Sequence, residues 1–141
     1  MRPLSAMTPV TGAEMLDSIA TLENQESFLA AREYWLKSVL AHRILEERAK
    51  LVAIGMYFHF NRERWERDRK LYAFPRKSVL RAMIGESRST VKRGLSDLET
   101  FGYLKVRRRY DEKRHLHSSS VYLAQVPLGV GPVLNPGWVH S

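Results

Sequence analysis

Two short stretches of helical patterning meet across Gly85-Glu86-Ser87, and this break constrains the fold of the chain more than any other feature. From Ser78 to Ile84 the apolar residues Val79, Leu80, Met83 and Ile84 recur at spacings of three and four. Glycine enters the left-handed backbone region at little steric cost, so Gly85 is expected to end that helix. Ser87 then offers a hydroxyl to cap a second helix, which runs to about Phe101 before Gly102 stops it. Two helices joined by about three residues make a helix-turn-helix arrangement.

On a wheel of 100° per residue, Val91, Leu95 and Leu98 share one face of the second helix, while Ser89, Lys92, Arg93 and Ser96 share the other. The major groove of B-DNA admits one α-helix and displays guanine O6 and N7 to Arg and Lys. The N-terminal residues of a recognition helix do that reading. The candidates for DNA contact are therefore Ser87, Arg88, Ser89, Thr90, Lys92, Arg93 and Ser96. Arg88 sits at the helix start, where base and phosphate contact are equally open, and Ser87 and Ser89 are placed to donate to phosphate oxygens. The plain alternative is a solvated helix face with no partner.

Beyond Gly102, the β-prone stretches Tyr103 to Tyr110 and Ser118 to Ala124 are joined by the polar Asp111-Glu112-Lys113-Arg114, which predicts a hairpin. Lys105, Arg107 and Arg109 alternate with Val106, Arg108 and Tyr110, so the period of a strand puts the first three on one side. With Lys113 and Arg114 at the tip, residues 105–117 form a basic wing suited to backbone phosphates or the minor groove. A charge-protected sheet edge would look the same.

Charge follows these elements. Residues 62–114 hold 17 Lys/Arg against 8 Asp/Glu, whereas the remainder holds 6 against 7, so one region owns the whole formal excess of +8. A field concentrated in this way selects a polyanionic partner, nucleic acid first and an anionic membrane surface second. RNA is a weaker alternative, because it would need Tyr103, Tyr110 and Tyr122 exposed on a sheet for stacking. The chain has no cysteine, which removes disulfides, Cys-based zinc sites and thiol nucleophiles together. His115 and His117 are two residues apart but lack a third ligand, so no metal or other cofactor is expected. No phosphate loop, nucleophile elbow or carboxylate pair is present, and enzymatic activity is not expected.

The longest apolar run, Leu51 to Phe60, is interrupted by His59 and is shorter than the roughly 20 residues of a membrane span. Residues 1–14 carry no apolar core of a secretory signal, and the expected location is cytoplasmic, associated with the nucleoid through DNA. Residues 1–24 read as a flexible arm. Residues 25–43 read as an amphipathic helix with Phe28, Leu29, Trp35, Leu36, Val39 and Leu40 as its stripe, available for packing or for a homodimer. Glu46 to Phe60 is nearly apolar all round after Ala49 and is expected at the centre of the fold. Asn61 to Lys70 could extend it or form a charged loop, and Leu71 to Pro75 is expected to be extended. Residues 125–141, rich in Pro and Gly, read as an irregular tail. Trp35, Trp65 and Trp138 are expected as packing anchors.

The segments Phe74-Pro75-Arg76-Lys77-Ser78-Val79-Leu80, Ile84-Gly85-Glu86-Ser87-Arg88-Ser89-Thr90-Val91-Lys92-Arg93 and Leu98-Glu99-Thr100-Phe101-Gly102-Tyr103-Leu104 resemble the winged helix-turn-helix domains of bacterial, plasmid and phage proteins. The likeness covers about residues 46–124 and is nearest to the domains of plasmid and phage replication initiators and small bacterial regulators. It carries the Gly-x-Ser-Arg-x-Thr-Val turn before the recognition helix and the Leu-Glu-x-x-Gly ending that leads into the wing. It departs at Arg81, where that family usually has a small residue at the helix crossing, and at Glu86, where an apolar residue is usual. The resemblance implies a mainly α protein with a β-hairpin wing, of α+β class. It implies sequence-specific binding of double-stranded DNA by a transcriptional regulator, with helix 88–101 in the major groove. Two alternatives stand beside it: the DNA-binding part of a replication initiation protein, and a protein-interaction module using the N-terminal helix.

Overall fold

The computed structural model describes residues 21–111 and 116–127. The first helix begins where a hydroxyl can satisfy its free N–H groups: the Ser27 side chain accepts from the Ala30 N–H at 3.1 Å. Helix α1 (Phe28–Ala41) turns Phe28, Ala31, Trp35, Ser38 and Val39 inward. Leu29 and Leu40, read as part of the same stripe, are instead 45% and 41% exposed, because each lies about 100° from a buried neighbour. Leu22 is also buried and joins the core that Phe28 and Trp35 occupy, so this part of the expected arm is packed. Residues 1–20 lie outside the described residues.

Helix α2 (Glu47–Tyr57) packs against α1 and against two later helices, α4 (Lys77–Ile84) and α5 (Arg88–Thr100). Its buried side is made of Ala49, Val52, Ala53, Gly55 and Met56. The expectation of burial all round is corrected: Ile54 is 37% and Phe58 61% exposed, since three neighbours leave one side of the helix open. The chain then bends, because Phe60 bridges to Ala73 and the Asn61 N–H donates to the Tyr72 carbonyl at 2.8 Å. Asn61 caps a separate short helix, α3 (Arg62–Asp68), by accepting from the Arg64 N–H at 2.9 Å. Residues 62–68 are thus neither an extension of α2 nor a loop, with only Arg69 and Lys70 outside the helix, and α3 is held to the core by the buried Trp65.

Strand β1 (Tyr72–Ala73) completes a three-stranded antiparallel sheet with β2 (Leu104–Asp111) and β3 (Leu116–Ala124), in the order β1-β3-β2. Tyr72 faces Leu123, and Leu104 faces Ala124, so β3 is the central strand. The register of the hairpin shifts between Arg107, opposite Val121, and Arg109, opposite Ser118, leaving an extra residue on β3. Five helices and this small sheet among the described residues make the α+β class expected from the sequence. No helix among them is long and apolar enough to cross a membrane.

The closest helix crossing is built on Gly94 of α5. A Cβ there would lie 2.6 Å from Val52 Cγ2 and 2.8 Å from the Arg48 carbonyl oxygen, which belongs to the α2 backbone. A helix backbone cannot give way locally, so the two helices would have to separate. Gly94→Ala is expected to lower stability by up to roughly 2 kcal/mol: an overpacking cost of about 1–3 kcal/mol, less about 1 kcal/mol gained in helix propensity. A urea melt that showed the alanine variant more stable than the parent would refute this packing. Gly55 is a milder case, since its nearest neighbours are the ends of the Leu80 and Ile84 side chains at 3.1 Å.

Candidate nucleic-acid interface

Helix α4 ends at Gly85, whose φ of 68° is the left-handed conformation. The N–H groups of Gly85 and Glu86 both donate to the Arg81 carbonyl, at 2.9 and 3.2 Å, and close the turn. Glu86 therefore sits in a hydrogen-bonded turn rather than at an apolar contact. Arg81 and Ala82 are both exposed, so neither forms the helix crossing; the close approaches, at Gly55 and Gly94, are those of α2 to α4 and of α2 to α5.

Ser87 starts α5 by accepting from the Thr90 N–H at 3.2 Å, and its hydroxyl is 2.9 Å from Thr90 Oγ1 and 3.3 Å from Ser89 Oγ. Its hydroxyl is thus committed first to the cap. Val91, Gly94, Leu95 and Leu98 of α5 are buried. Arg88, Ser89, Lys92, Arg93 and Ser96 are exposed and Thr90 half-buried, which leaves one basic, hydroxyl-bearing outward face. The orientation of that face is fixed from behind: Arg48 of α2 donates from Nε to Asp97 Oδ2 at 2.8 Å.

The wing candidates divide between the two sides of the sheet. Arg108 of β2 lines a cleft of about 150 Å³ together with Val106, and with Ser120 and Tyr122 of β3. The opposite wall of that cleft is α5, through Lys92, Leu95, Ser96 and Glu99, and Lys77 enters from the first turn of α4. Arg108 Nη2 stands 4.0 Å from Glu99 Oε1. Lys105 and Arg107 are exposed and, by the alternation of a strand, belong to the other side of the sheet. Arg109 pairs through its backbone with Ser118, but its side chain lies outside the described residues, as do Lys113 and Arg114 at the tip. His115 is outside them too.

Burial raises the Tyr122 hydroxyl above its ordinary pKa, against the Ser120 hydrogen bond and the Arg108 charge, which act to lower it. The phenol is thus a neutral donor at physiological pH, facing the same cleft. No known protein family, curated protein or solved structure matches the chain. The cleft adds Lys77, Glu99 and Ser120 to the candidate DNA contacts read from the sequence, together with Tyr122, which the sequence offered only as a stacking surface for RNA. Only the cross-strand register places Ser120 and Tyr122 beside Arg108, and Lys77 lay one residue before the helical pattern that began at Ser78.

Proposed function

We propose that this chain is a winged helix-turn-helix protein that binds double-stranded DNA sequence-specifically, as a small transcriptional regulator. The order α2-α3-β1-α4-α5-β2-β3, with β1 added to the β3 edge of a β2–β3 hairpin, supports the fold reading. One observation carries the functional reading: Arg88, Ser89, Lys92, Arg93 and Ser96 are exposed on α5, and two of them, Lys92 and Ser96, also line a cleft where Lys77 and Arg108 add two more cations beside Glu99. An isolated basic helix face would be ordinary solvated surface. Cations drawn together from a helix, a second helix and a hairpin suit a duplex groove with its flanking phosphates.

The dimensions agree. A helix with side chains is about 10–12 Å across, and the major groove is about 12 Å wide. At 13 residues, α5 is about 20 Å long, enough to enter the groove by its N-terminal half while its C-terminal half stays packed on α2. The test is binding of the full chain to labelled duplexes recovered from a random pool, repeated over a range of salt. The selected duplexes should share one motif, and log affinity should fall linearly with log salt at about −0.9 per phosphate contacted. Binding that ignored salt, or selection with no shared motif, would point to a protein-docking role instead.

A further inference from the structure

We propose that the cleft between α5 and the sheet seats one phosphate of the DNA backbone, held by Lys77, Lys92 and Arg108, with Glu99 as the counter-ion that the phosphate displaces. This rests on the DNA-binding reading and assigns a ligand to a site within it. Phosphodiester oxygens accept hydrogen bonds and donate none, and apart from Glu99 the polar side chains around this cleft can all donate. Three cations come from three different elements, the start of α4, the middle of α5 and β2, which ordinary surface charge has no reason to bring together. Ser96 and Ser120 add hydroxyls beside them. Leu95 and Val106 line the same cleft with apolar surface, which lowers the local dielectric and strengthens each charge-assisted bond.

Glu99 is the one group in the cleft that opposes a phosphate. It stands 4.0 Å from Arg108, too far for a hydrogen bond and close enough to balance its charge in the free protein. A phosphate oxygen would take over that role. The seat lies one to three helical turns past Arg88, from Lys92 to Glu99, where the ridge of one strand would flank a helix lying in the groove. A contact there sets the register of α5 and carries no sequence information itself.

The experiment compares the full chain with Lys77→Ala, Glu99→Gln and Lys50→Ala. Lys50 lies 200° around α2 from Arg48, which reaches α5, so its substitution removes the same charge far from the cleft. Lys77→Ala should weaken binding roughly tenfold on every duplex, the size of one charge-assisted hydrogen bond, and reduce the salt slope by about 0.9. Glu99→Gln should tighten binding severalfold, and Lys50→Ala should leave the slope unchanged. The inference is overturned if Lys77→Ala leaves affinity and slope unchanged, if its loss is confined to one sequence, if Glu99→Gln weakens binding, or if Lys50→Ala lowers the slope as much as Lys77→Ala. Inorganic phosphate titrated at constant ionic strength separates the two sources of the ligand. Phosphate that shifts the cleft resonances while Lys77→Ala leaves DNA affinity intact would assign the site to the free ion and overturn the DNA contact. Failure of the wider reading looks different, since the unsubstituted chain would then show no salt-dependent duplex binding at all.

Discussion

Trp35→Ala is expected to lower the stability of the whole fold by about 3–5 kcal/mol, the range for deleting a buried aromatic side chain. Trp35 is fully buried in α1, stands edge-on to Phe60 with ring centres 5.0 Å apart, and donates from Nε1 to the Tyr103 carbonyl at 2.9 Å. That carbonyl sits at the root of the hairpin and also accepts from the Gln125 N–H at 2.9 Å. The Tyr103 hydroxyl, pushed up to about 12 by burial, returns to α1 through His42 Nδ1 at 2.7 Å. Trp35 and Tyr103 therefore tie the N-terminal helix to the hairpin strands. Trp35→Phe should cost much less, because a ring remains against Phe60 and the Tyr103 carbonyl keeps its bond from Gln125. Urea unfolding followed by far-ultraviolet circular dichroism measures both. A loss below about 1 kcal/mol for Trp35→Ala would mean that α1 unfolds independently of the rest.

The Gly85 turn and the Ser87 cap were the most legible parts of the sequence, because local chemistry alone determines them. Gly85 has the left-handed φ its position required, and Ser87 caps α5. Other features depended on distant partners. The apolar run after Ala49 held no sign that one side of α2 would be left open, since that follows from how many helices surround it. Leu29 and Leu40 could not be told from Trp35 and Val39 by spacing alone, as a six-residue stripe is wider than the seam that α1 buries. Gly94 did carry a signal: an isolated glycine inside a helical pattern usually has a packing reason. Its meaning needed the Arg48 carbonyl of another helix.

The candidate site divides along the same line. Periodicity placed Lys92, Arg93 and Ser96 on one outward face, because a helix wheel requires only the helix itself. The wing residues could be sorted into two sides by period two, but nothing local says which side meets α5. The side carrying Arg108 does, through Glu99 and the cleft. Lys105 and Arg107, grouped with the DNA face by charge, belong to the other side of the sheet.

This division gives Arg93 and Arg108 different expected effects. Arg93→Glu should reduce affinity for the preferred duplex by a hundredfold or more, to the level of non-specific binding. A bidentate arginine–guanine pair contributes about 1–3 kcal/mol of discrimination, and the reversed charge adds repulsion from nearby phosphates. Arg93 is exposed and makes no ion pair among the described residues, so folding should be untouched and unfolding curves should superimpose. Arg93→Lys keeps the charge and loses the planar fork, and should relax sequence preference while leaving non-specific affinity nearly unchanged. Arg108→Ala should weaken all duplexes by a similar factor, as a phosphate contact does. Competition assays of the three variants on the preferred and a scrambled duplex distinguish these outcomes. Retained affinity of Arg93→Glu for the preferred duplex would remove α5 from the groove. Preference lost in Arg108→Ala and kept in Arg93→Lys would instead transfer base reading to the hairpin.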